Sequence, residues 1–81
     1  MVMIGHNCRV EKNTVITTGV VLCGGSKVMS NCWLGANSTI KERVKIQKNN
    51  IIGLSSVVLN DTKKNGIYAG NPARLIKKKL K

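Results

Sequence analysis

The residue of this chain best suited to acid–base chemistry is its only histidine, His6, in the opening stretch MVMIGHNCRV. An imidazole ordinarily titrates near pH 6.5, so it can accept a proton at neutral pH and return it later in a reaction. In an arbitrary protein, however, a lone histidine is more often a solvated surface residue. Whether His6 is a general base or a surface side chain depends on the elements that surround it.

Three cysteines, Cys8, Cys23 and Cys32, are the other candidates for chemistry. Their number is odd and no two of them are spaced as CxxC, so we expect neither a disulfide framework nor a metal site. Reduced thiols with a packing role are typical of proteins in the cytoplasm, where we expect this chain to work.

The charge of the chain indicates anionic partners. Fourteen Lys and Arg residues against three Asp and Glu residues give a net charge of +11. Such an excess favours nucleic acid, a membrane surface or a phosphorylated ligand as the partner. The final KKKLK supplies part of this charge and is typical of a solvated tail. No apolar run approaches the roughly 18 residues of a membrane span, and we recognise no signal peptide pattern.

A chain of 81 residues allows one small domain with a thin core. One Trp, one Tyr and no Phe leave the core to aliphatic side chains. Small domains of this kind usually need partner subunits or another form of support.

A repeat of six residues predicts the fold. Every sixth position from Ile4 is aliphatic, and the position two residues before each of these is mostly small. Asn or Gly often stands directly before the small residue, and both tolerate the left-handed backbone of a corner. The aliphatic series is Ile4, Val10, Ile16, Leu22, Val28, Leu34, Ile40, Ile46, Ile52 and Val58.

A period of six fits neither an α-helix nor a simple alternating strand. It fits a short strand followed by a tight corner, and three such hexapeptides close one triangular coil. Successive coils would stack as parallel strands about 4.8 Å apart. We therefore predict an all-β fold, a left-handed parallel β-helix of about three coils over residues 1–60, with the aliphatic series inside.

The remaining residues, 61–81, lack the repeat. The stretch NDTKKNGIYAG is predicted to be a loop, and NPARLIKKKLK a short basic helix with Asn71 as its N-cap. Leu75, Ile76 and Leu80 would face the stack of coils, while the lysines would face water.

Two stretches, NCWLGANSTI and NNIIGLSSVV, closely resemble the hexapeptide-repeat acyltransferases. The order HNC, GG, NCWLG, IIG and YAGNPAR, over residues 4–76, is similar to the C-terminal half of the sialic-acid and bacillosamine type of bacterial sugar acetyltransferases. IGHN also resembles the lipid A glucosamine N-acyltransferases, whose donor is an acyl carrier protein. The ending GNPAR is common in the CoA-dependent branch and favours that donor.

This resemblance implies an acetyl-CoA-dependent acetyltransferase, or a remnant of one, that acts on a hydroxyl or amine of a sugar or sugar nucleotide. His6 stands at the position of the family's general base. Asn7 follows it where close relatives often carry an acidic residue, and we take both as candidate catalytic residues. Gly24, in LCGGSK, matches the glycine whose N–H can face the thioester carbonyl in an oxyanion hole.

The resemblance also implies how acetyl-CoA and further subunits bind. The pantetheine arm would lie in a groove between two subunits of a homotrimer, hydrogen-bonded mainly to backbone groups. Val15, Val21, Trp33 and Ile51 would line the subunit interface. The candidate donor contacts are Gly24, Gly35, Ala36, Gly53 and Leu54, with Arg74 and Lys77 for the CoA phosphates.

Other functions stay open on the sequence. The main alternative is a non-catalytic trimeric β-helix that serves as an assembly or anion-binding module. Nucleic-acid binding rests on charge alone, because no stacking aromatics or reading motif accompany it. A carbonic anhydrase of the same fold needs three zinc-binding histidines, and this chain has one.

Overall fold

The six-residue repeat folds as the predicted left-handed parallel β-helix. The structure, a computed structural model, describes residues 1–79. Ten strands of two residues each are followed by two longer ones. The strands are β1 (Met3–Ile4), β2 (Arg9–Val10), β3 (Val15–Ile16), β4 (Val21–Leu22), β5 (Lys27–Val28), β6 (Trp33–Leu34), β7 (Thr39–Ile40), β8 (Lys45–Ile46), β9 (Ile51–Ile52), β10 (Val57–Val58), β11 (Gly66–Gly70) and β12 (Ala73–Lys78).

The strands stack into three sheets, one for each side of the triangular coil. Sheet A contains β1, β4, β7 and β10, sheet B contains β2, β5 and β8, and sheet C contains β3, β6, β9, β11 and β12. Pairing between the coils is parallel with a shift of three hexapeptides, so that Val21 lies between Met3 and Thr39. Residues one coil apart therefore lie above one another, with about 4.8 Å between neighbouring strands.

The aliphatic series points into the shaft that the three sheets enclose. Its members from Leu22 to Val58 are at most 2% exposed. The first coil differs, because the side chains of Ile4 and Val10 are 56% and 38% exposed. Among residues 1–79 no coil packs above them. The predicted inward position of the aliphatic series is thus confirmed, and the fully buried core begins with the second coil.

Small residues of the repeat fill the shaft near its corners. Ser26 and Ser38 are fully buried. The buried Cys32 donates its Sγ hydrogen to the carbonyl oxygen of Gln47 at 3.1 Å, and burial raises the pKa of this thiol. Cys8 Sγ lies 3.4 Å from Ser26 Oγ. The cysteines are free thiols, and these two occupy packing positions.

Each corner turns on a residue with left-handed backbone geometry. The φ angle is 61° at Asn7, 62° at Asn31 and 75° at Gly25. Asparagine and glycine adopt this conformation at lower cost than other residues, whereas Arg43 adopts it (φ 63°) against that preference. The corners form three rows: the A–B corner (residues 6–7, 24–25 and 42–43), the B–C corner (12–13, 30–31 and 48–49) and the C–A corner (18–19, 36–37 and 54–55).

The predicted C-terminal helix is wrong, and so is the predicted loop over GIYAG, because both stretches form strands. Strand β11 pairs with β9 in parallel, and β12 then folds back to pair with β11 in the antiparallel sense. A helix would have left the outer edge of β11 unpaired, so sheet pairing outweighs the helix propensity of Leu75 and its lysine neighbours. Asn71 and Pro72 form the turn between the two strands. Leu80 and Lys81, which we also assigned to the helix, lie outside the described residues.

The hairpin of β11 and β12 closes the C-terminal end of the shaft. Tyr68 packs against the buried core, and its hydroxyl oxygen accepts a hydrogen bond from the Lys63 N–H at 2.8 Å. Over sheet B, a side chain takes the place of a further strand, because the Lys45 N–H donates to Asp61 Oδ1 at 2.8 Å. The two ends of the solenoid are therefore unlike, with aliphatic side chains exposed at one and a hairpin covering the other.

Candidate active site

The A–B corner borders an open cavity of about 370 Å³. Each of the three coils contributes one pair of residues to its wall, and the pairs lie above one another because each follows the last by one full coil. This volume lies within the range of small-molecule sites. The lining residues are His6, Asn7, Gly24, Gly25, Glu42 and Arg43.

His6 stands outside the shaft, and its side chain is exposed. Its backbone carbonyl accepts a hydrogen bond from the Gly25 N–H at 2.8 Å, so the second coil holds the backbone on which the imidazole is mounted. Within residues 1–79 the ion pairs are Arg9–Glu11 and Lys41–Glu42, and neither involves His6. A reacting group could therefore approach the imidazole from solvent.

Asn7 is the second residue of the corner and is exposed. Its left-handed backbone, with φ at 61°, is sufficient reason for an asparagine at this position. The left-handed backbone of Asn7 forms the turn that places His6 at the surface.

Glu42 lies in the same row of the corner as His6, two coils further along the axis. This places the two residues about 10 Å apart along that axis. A hydrogen bond from its own backbone N–H and the charge of Lys41 lower the pKa of Glu42. The carboxylate is therefore ionised at neutral pH and, with Arg43 beside it, places one charge of each sign at that end of the cavity.

Gly24 stacks next to His6 in the same corner. A Cβ built on Gly24 would meet only the carbonyl oxygen of His6, at 3.5 Å, so the missing side chain leaves open space beside the imidazole. Within the described residues the Gly24 N–H donates to no backbone carbonyl. Ala36 and the other first residues of corners share this property. What distinguishes Gly24 is the position of its free N–H beside His6.

The predicted donor contacts Gly35, Ala36, Gly53 and Leu54 lie at or next to the C–A corner, outside the cavity. Gly35 is buried, its N–H donates to the Ile52 carbonyl at 2.8 Å, and a Cβ here would come within 2.8 Å of the Gly53 backbone. Coil stacking alone therefore requires glycine at Gly35. Gly53 donates its own N–H to the Tyr68 carbonyl at 2.8 Å, whereas Leu54 is 67% exposed.

The predicted site residues fall into separate groups, because they lie at the two corners that flank sheet A. The A–B and C–A corners lie at opposite edges of sheet A, so one chain does not bring His6 together with Ala36 or Leu54. Arg74 and Lys77 lie on β12, opposite Ala69 and Ile67, and both are exposed. Within one chain, the structure therefore brings His6, Asn7 and Gly24 together at one corner and groups Gly35, Ala36, Gly53 and Leu54 at the other.

Our sequence reasoning missed Gly25, Glu42 and Arg43 as neighbours of His6. The signal was present, because residues 24–25 and 42–43 follow residues 6–7 at intervals of one coil, which is three hexapeptides. Within residues 1–79, no three His, Cys, Asp or Glu side chains are grouped so that they could hold a metal ion. No helix in that range is long and apolar enough to cross a membrane.

The chain has relatives among acetyltransferases of known sequence, although it matches no family profile. YJL218W of Saccharomyces cerevisiae, assigned as an acetyltransferase, is 42% identical over 74 residues, which cover 91% of this chain and 36% of the relative. The serine acetyltransferase of Staphylococcus xylosus is 31% identical over 84 residues, which cover 94% of this chain and 39% of the enzyme. The chain thus spans little more than a third of the length of these relatives.

Solved structures share the same β-helix. PerB from Caulobacter crescentus, solved in complex with CoA and GDP-perosamine, superimposes with a TM-score of 0.87 and 26% identity over 89% of this chain and 35% of PerB. LpxA from Acinetobacter baumannii superimposes with a TM-score of 0.88 and 27% identity over 90% of this chain and 28% of LpxA. By its repeat, its fold and these likenesses, the chain belongs to the hexapeptide-repeat acyltransferase family.

Proposed function

We propose that this chain carries the transfer site of an acetyl-CoA-dependent acetyltransferase that acts on a hydroxyl or amine of a sugar or sugar nucleotide. The observation that carries the proposal is the exposed imidazole of His6 beside the open backbone of Gly24 in one cavity. PerB, with its bound CoA and GDP-perosamine, and the serine acetyltransferase support acyl transfer from CoA as the activity of this fold.

In this proposal His6 is the general base. It takes the proton from the acceptor oxygen or nitrogen as that atom attacks the carbonyl carbon of the thioester. The Gly24 N–H donates a hydrogen bond to the carbonyl oxygen as negative charge develops there. When the carbon–sulfur bond breaks, His6 returns the proton to the departing thiolate, which leaves as the CoA thiol. The base is then ready for the next turnover.

Asn7 acts in the proposal as a positioning residue. Its left-handed backbone turns the chain directly after His6 and so directs the imidazole toward the cavity. Glu42 and Arg43, two coils away, would border the region where the acceptor enters. No carboxylate within residues 1–79 is paired with His6, so the imidazole would act as the base without a charged partner from this part of the chain.

The donor site needs a second copy of the chain. Gly35, Ala36, Gly53 and Leu54 lie across sheet A from His6, and in this proposal the groove that contains both corners lies between subunits. We propose a homotrimer in which the A–B corner of one copy faces the C–A corner of the next. Arg74 and Lys77 of that next copy would then supply positive charge for the CoA phosphates.

The outer faces of sheets A and C support such an assembly. Four apolar side chains form one column in register on sheet C, and three of the four outward residues of sheet A are apolar. The sheet C column consists of Val15, Trp33, Ile51 and Ile67, of which Val15 is 52% exposed. A closed three-fold ring would bury these columns and add apolar area that the thin core of one chain lacks.

The test combines acetyl-CoA binding with transfer. By isothermal titration we expect acetyl-CoA to bind, and we expect amino sugars and sugar nucleotides to release CoA thiol from it. His6→Ala should lower that rate by roughly 10²–10⁴-fold while leaving the donor affinity nearly unchanged. Ser30→Ala, at the first position of the B–C corner, is the control without a change of charge and should change neither quantity.

Two results would contradict the proposal. One is the absence of acetyl-CoA binding at millimolar concentration. The other is a His6→Ala variant with an unchanged transfer rate, since the imidazole would then have no role in proton transfer. Either result would favour the alternative, a non-catalytic β-helix that serves in assembly or anion binding.

A further inference from the structure

The charge of the repeat region is gathered on one of its three sides. Residues 1–60 contain seven Lys or Arg and two Glu, and all nine lie within residues 6–13, 24–31 and 41–49. These ranges form sheet B, its two flanking corners and one further residue, Lys41, whose N–H donates to the Val58 carbonyl at the end of sheet A. We call this surface the charged side. The rest of the repeat region, which builds sheets A and C, has no Lys, Arg, Asp or Glu. The nine are Arg9, Glu11, Lys12, Lys27, Lys41, Glu42, Arg43, Lys45 and Lys48.

Three cations form a ladder along the middle of the charged side. Arg9 is the register partner of Lys27, and Lys27 is the register partner of Lys45. Like charges directly opposite each other destabilise a sheet. Arg9 has an acidic neighbour, because its Nε lies 3.7 Å from Glu11 Oε2. Within residues 1–79 neither Lys27 nor Lys45 makes an ion pair. The Asp61 carboxylate, which accepts from the Lys45 N–H at 2.8 Å, offsets part of the repulsion at one end of the ladder.

A solvated face usually mixes the two signs, whereas the charged side has seven cations against two anions. The ladder presents one cation per coil, about 4.8 Å apart, in a line parallel to the axis. A small anion could meet only one or two of these cations. A linear polymer with one anionic group on each repeating unit could lie along the axis and meet them in succession.

We propose that the charged side is a docking surface for a linear acidic polysaccharide, of which a polyuronate is the simplest example. The aromatic residues of the chain, Trp33 and Tyr68, belong to sheet C, so no aromatic side chain is available here for stacking by nucleic-acid bases. The charged side is also a flat sheet with no helix or protruding ribbon that could enter a DNA groove. These two features favour a carbohydrate polymer over nucleic acid.

The ladder lies next to the cavity, and this position relates a docked polymer to the proposed acyl transfer. Arg9, Lys27 and Lys45 each follow a wall residue of the cavity by three positions, and Arg43 belongs to both surfaces. A polymer held along the ladder would run parallel to the row that contains His6, with its hydroxyl groups beside the cavity. The choice of a carbohydrate rests on the proposed function, because the polymer would then be the acceptor or contain it.

The test measures binding of a fluorescent, size-defined polygalacturonate by anisotropy, without CoA, at an ionic strength near that of cells. Lys27→Gln/Lys45→Gln should weaken binding by about tenfold or more, because two contacts of the ladder are lost, and should flatten the dependence on salt. The control is Lys78→Gln, which removes one charge from an exposed position of β12 outside the proposed donor site, and it is compared with Lys27→Gln alone. We expect it to weaken binding less than about threefold, as screened charges outside the contact should. Thermal unfolding of all three variants shows that each is folded.

The outcomes separate this inference from others. Equal losses in Lys27→Gln and Lys78→Gln, or binding no tighter than that of neutral dextran, would overturn the ladder as the docking surface. Tighter binding of an oligo(dT) with the same number of charges would overturn the choice of polysaccharide and assign the surface to nucleic acid. Because no CoA is present, failure of acetyl-CoA binding would refute the proposed function and leave this result intact.

Discussion

Gly35 and Gly24 show how one residue type serves two different needs in this chain. Gly35 leaves no room for a side chain, because the backbone of the next coil lies where its Cβ would be. Gly24 faces open space, with only the His6 carbonyl oxygen at 3.5 Å. Coil stacking therefore requires the first glycine, whereas the cavity benefits from the second.

This contrast gives a prediction for alanine at each position. Gly35→Ala should lower the free energy of unfolding by about 1–3 kcal/mol, because its methyl group overlaps backbone atoms that cannot move freely. Gly24→Ala should change that free energy by less than about 0.5 kcal/mol, but should slow acetyl transfer, because the methyl group enters the cavity beside His6. Urea unfolding and CoA-thiol release measure the two effects. Equal destabilisation by both substitutions would contradict this assignment of roles.

At the same scale, the sequence predicted the location of His6 but not its full surroundings. The resemblance placed His6 at the position of the family's general base, and in the structure it lies at a corner outside the shaft with its side chain exposed. Glu42 and Arg43 were missed because they stand two full coils away along the chain. They become neighbours of the cavity only when coils are stacked, so the contact follows from the period and not from any local motif.

At the scale of elements, the strands were predictable as far as the repeat extends. Each aliphatic residue of the series occupies one inward position, and the regular spacing of these ten residues specifies the three sheets. The hairpin of β11 and β12 was not predictable in this way, because ARLIKK contains good helix formers and has no six-residue period. Its strand conformation results from the open edge of β11, which is a property of the folded stack.

The hairpin should contribute to stability through Tyr68. Tyr68→Ala should lower the free energy of unfolding by about 2–4 kcal/mol, because the ring covers the end of the core. Tyr68→Phe should cost only about 1 kcal/mol, since it removes the hydroxyl that accepts the Lys63 N–H. Ile76→Ala, at a side chain that is 60% exposed, is the control and should cost less than about 0.5 kcal/mol. In urea titrations, a loss for Tyr68→Ala no greater than for the control would show that the hairpin does not cap the core.

At the scale of the whole molecule, the sides of the prism differ in kind. The outward column of sheet C is apolar through Val15, Trp33 and Ile51, while that of sheet B is Arg9, Lys27 and Lys45. Apolar columns are costly to leave in water, and cationic columns are costly to bury. The apolar sides therefore suit contact with other copies, and the charged side suits solvent or an anionic partner.

This division predicts the effect of one substitution on assembly. Sedimentation should give a particle of about three times the 8.8 kDa chain mass, as a C3 ring requires. Trp33→Lys should reduce it to the single-chain mass and weaken acetyl-CoA binding, because the charge interrupts the apolar column and the donor groove is lost. Lys27→Gln on the charged side should leave the mass unchanged. A wild-type chain that sediments as a monomer at micromolar concentrations would refute the assembly.

The stagger of three hexapeptides between neighbouring strands also restricts how the length of this chain can change. Inserting or deleting three hexapeptides together adds or removes one full coil, so every later side chain keeps its original side of the prism. A change of one or two hexapeptides keeps the aliphatic series buried but moves all later residues to a different side of the prism. Lysines would then stand at positions that valines had occupied. Natural variation in the length of such proteins should therefore occur by whole coils more often than by single hexapeptides.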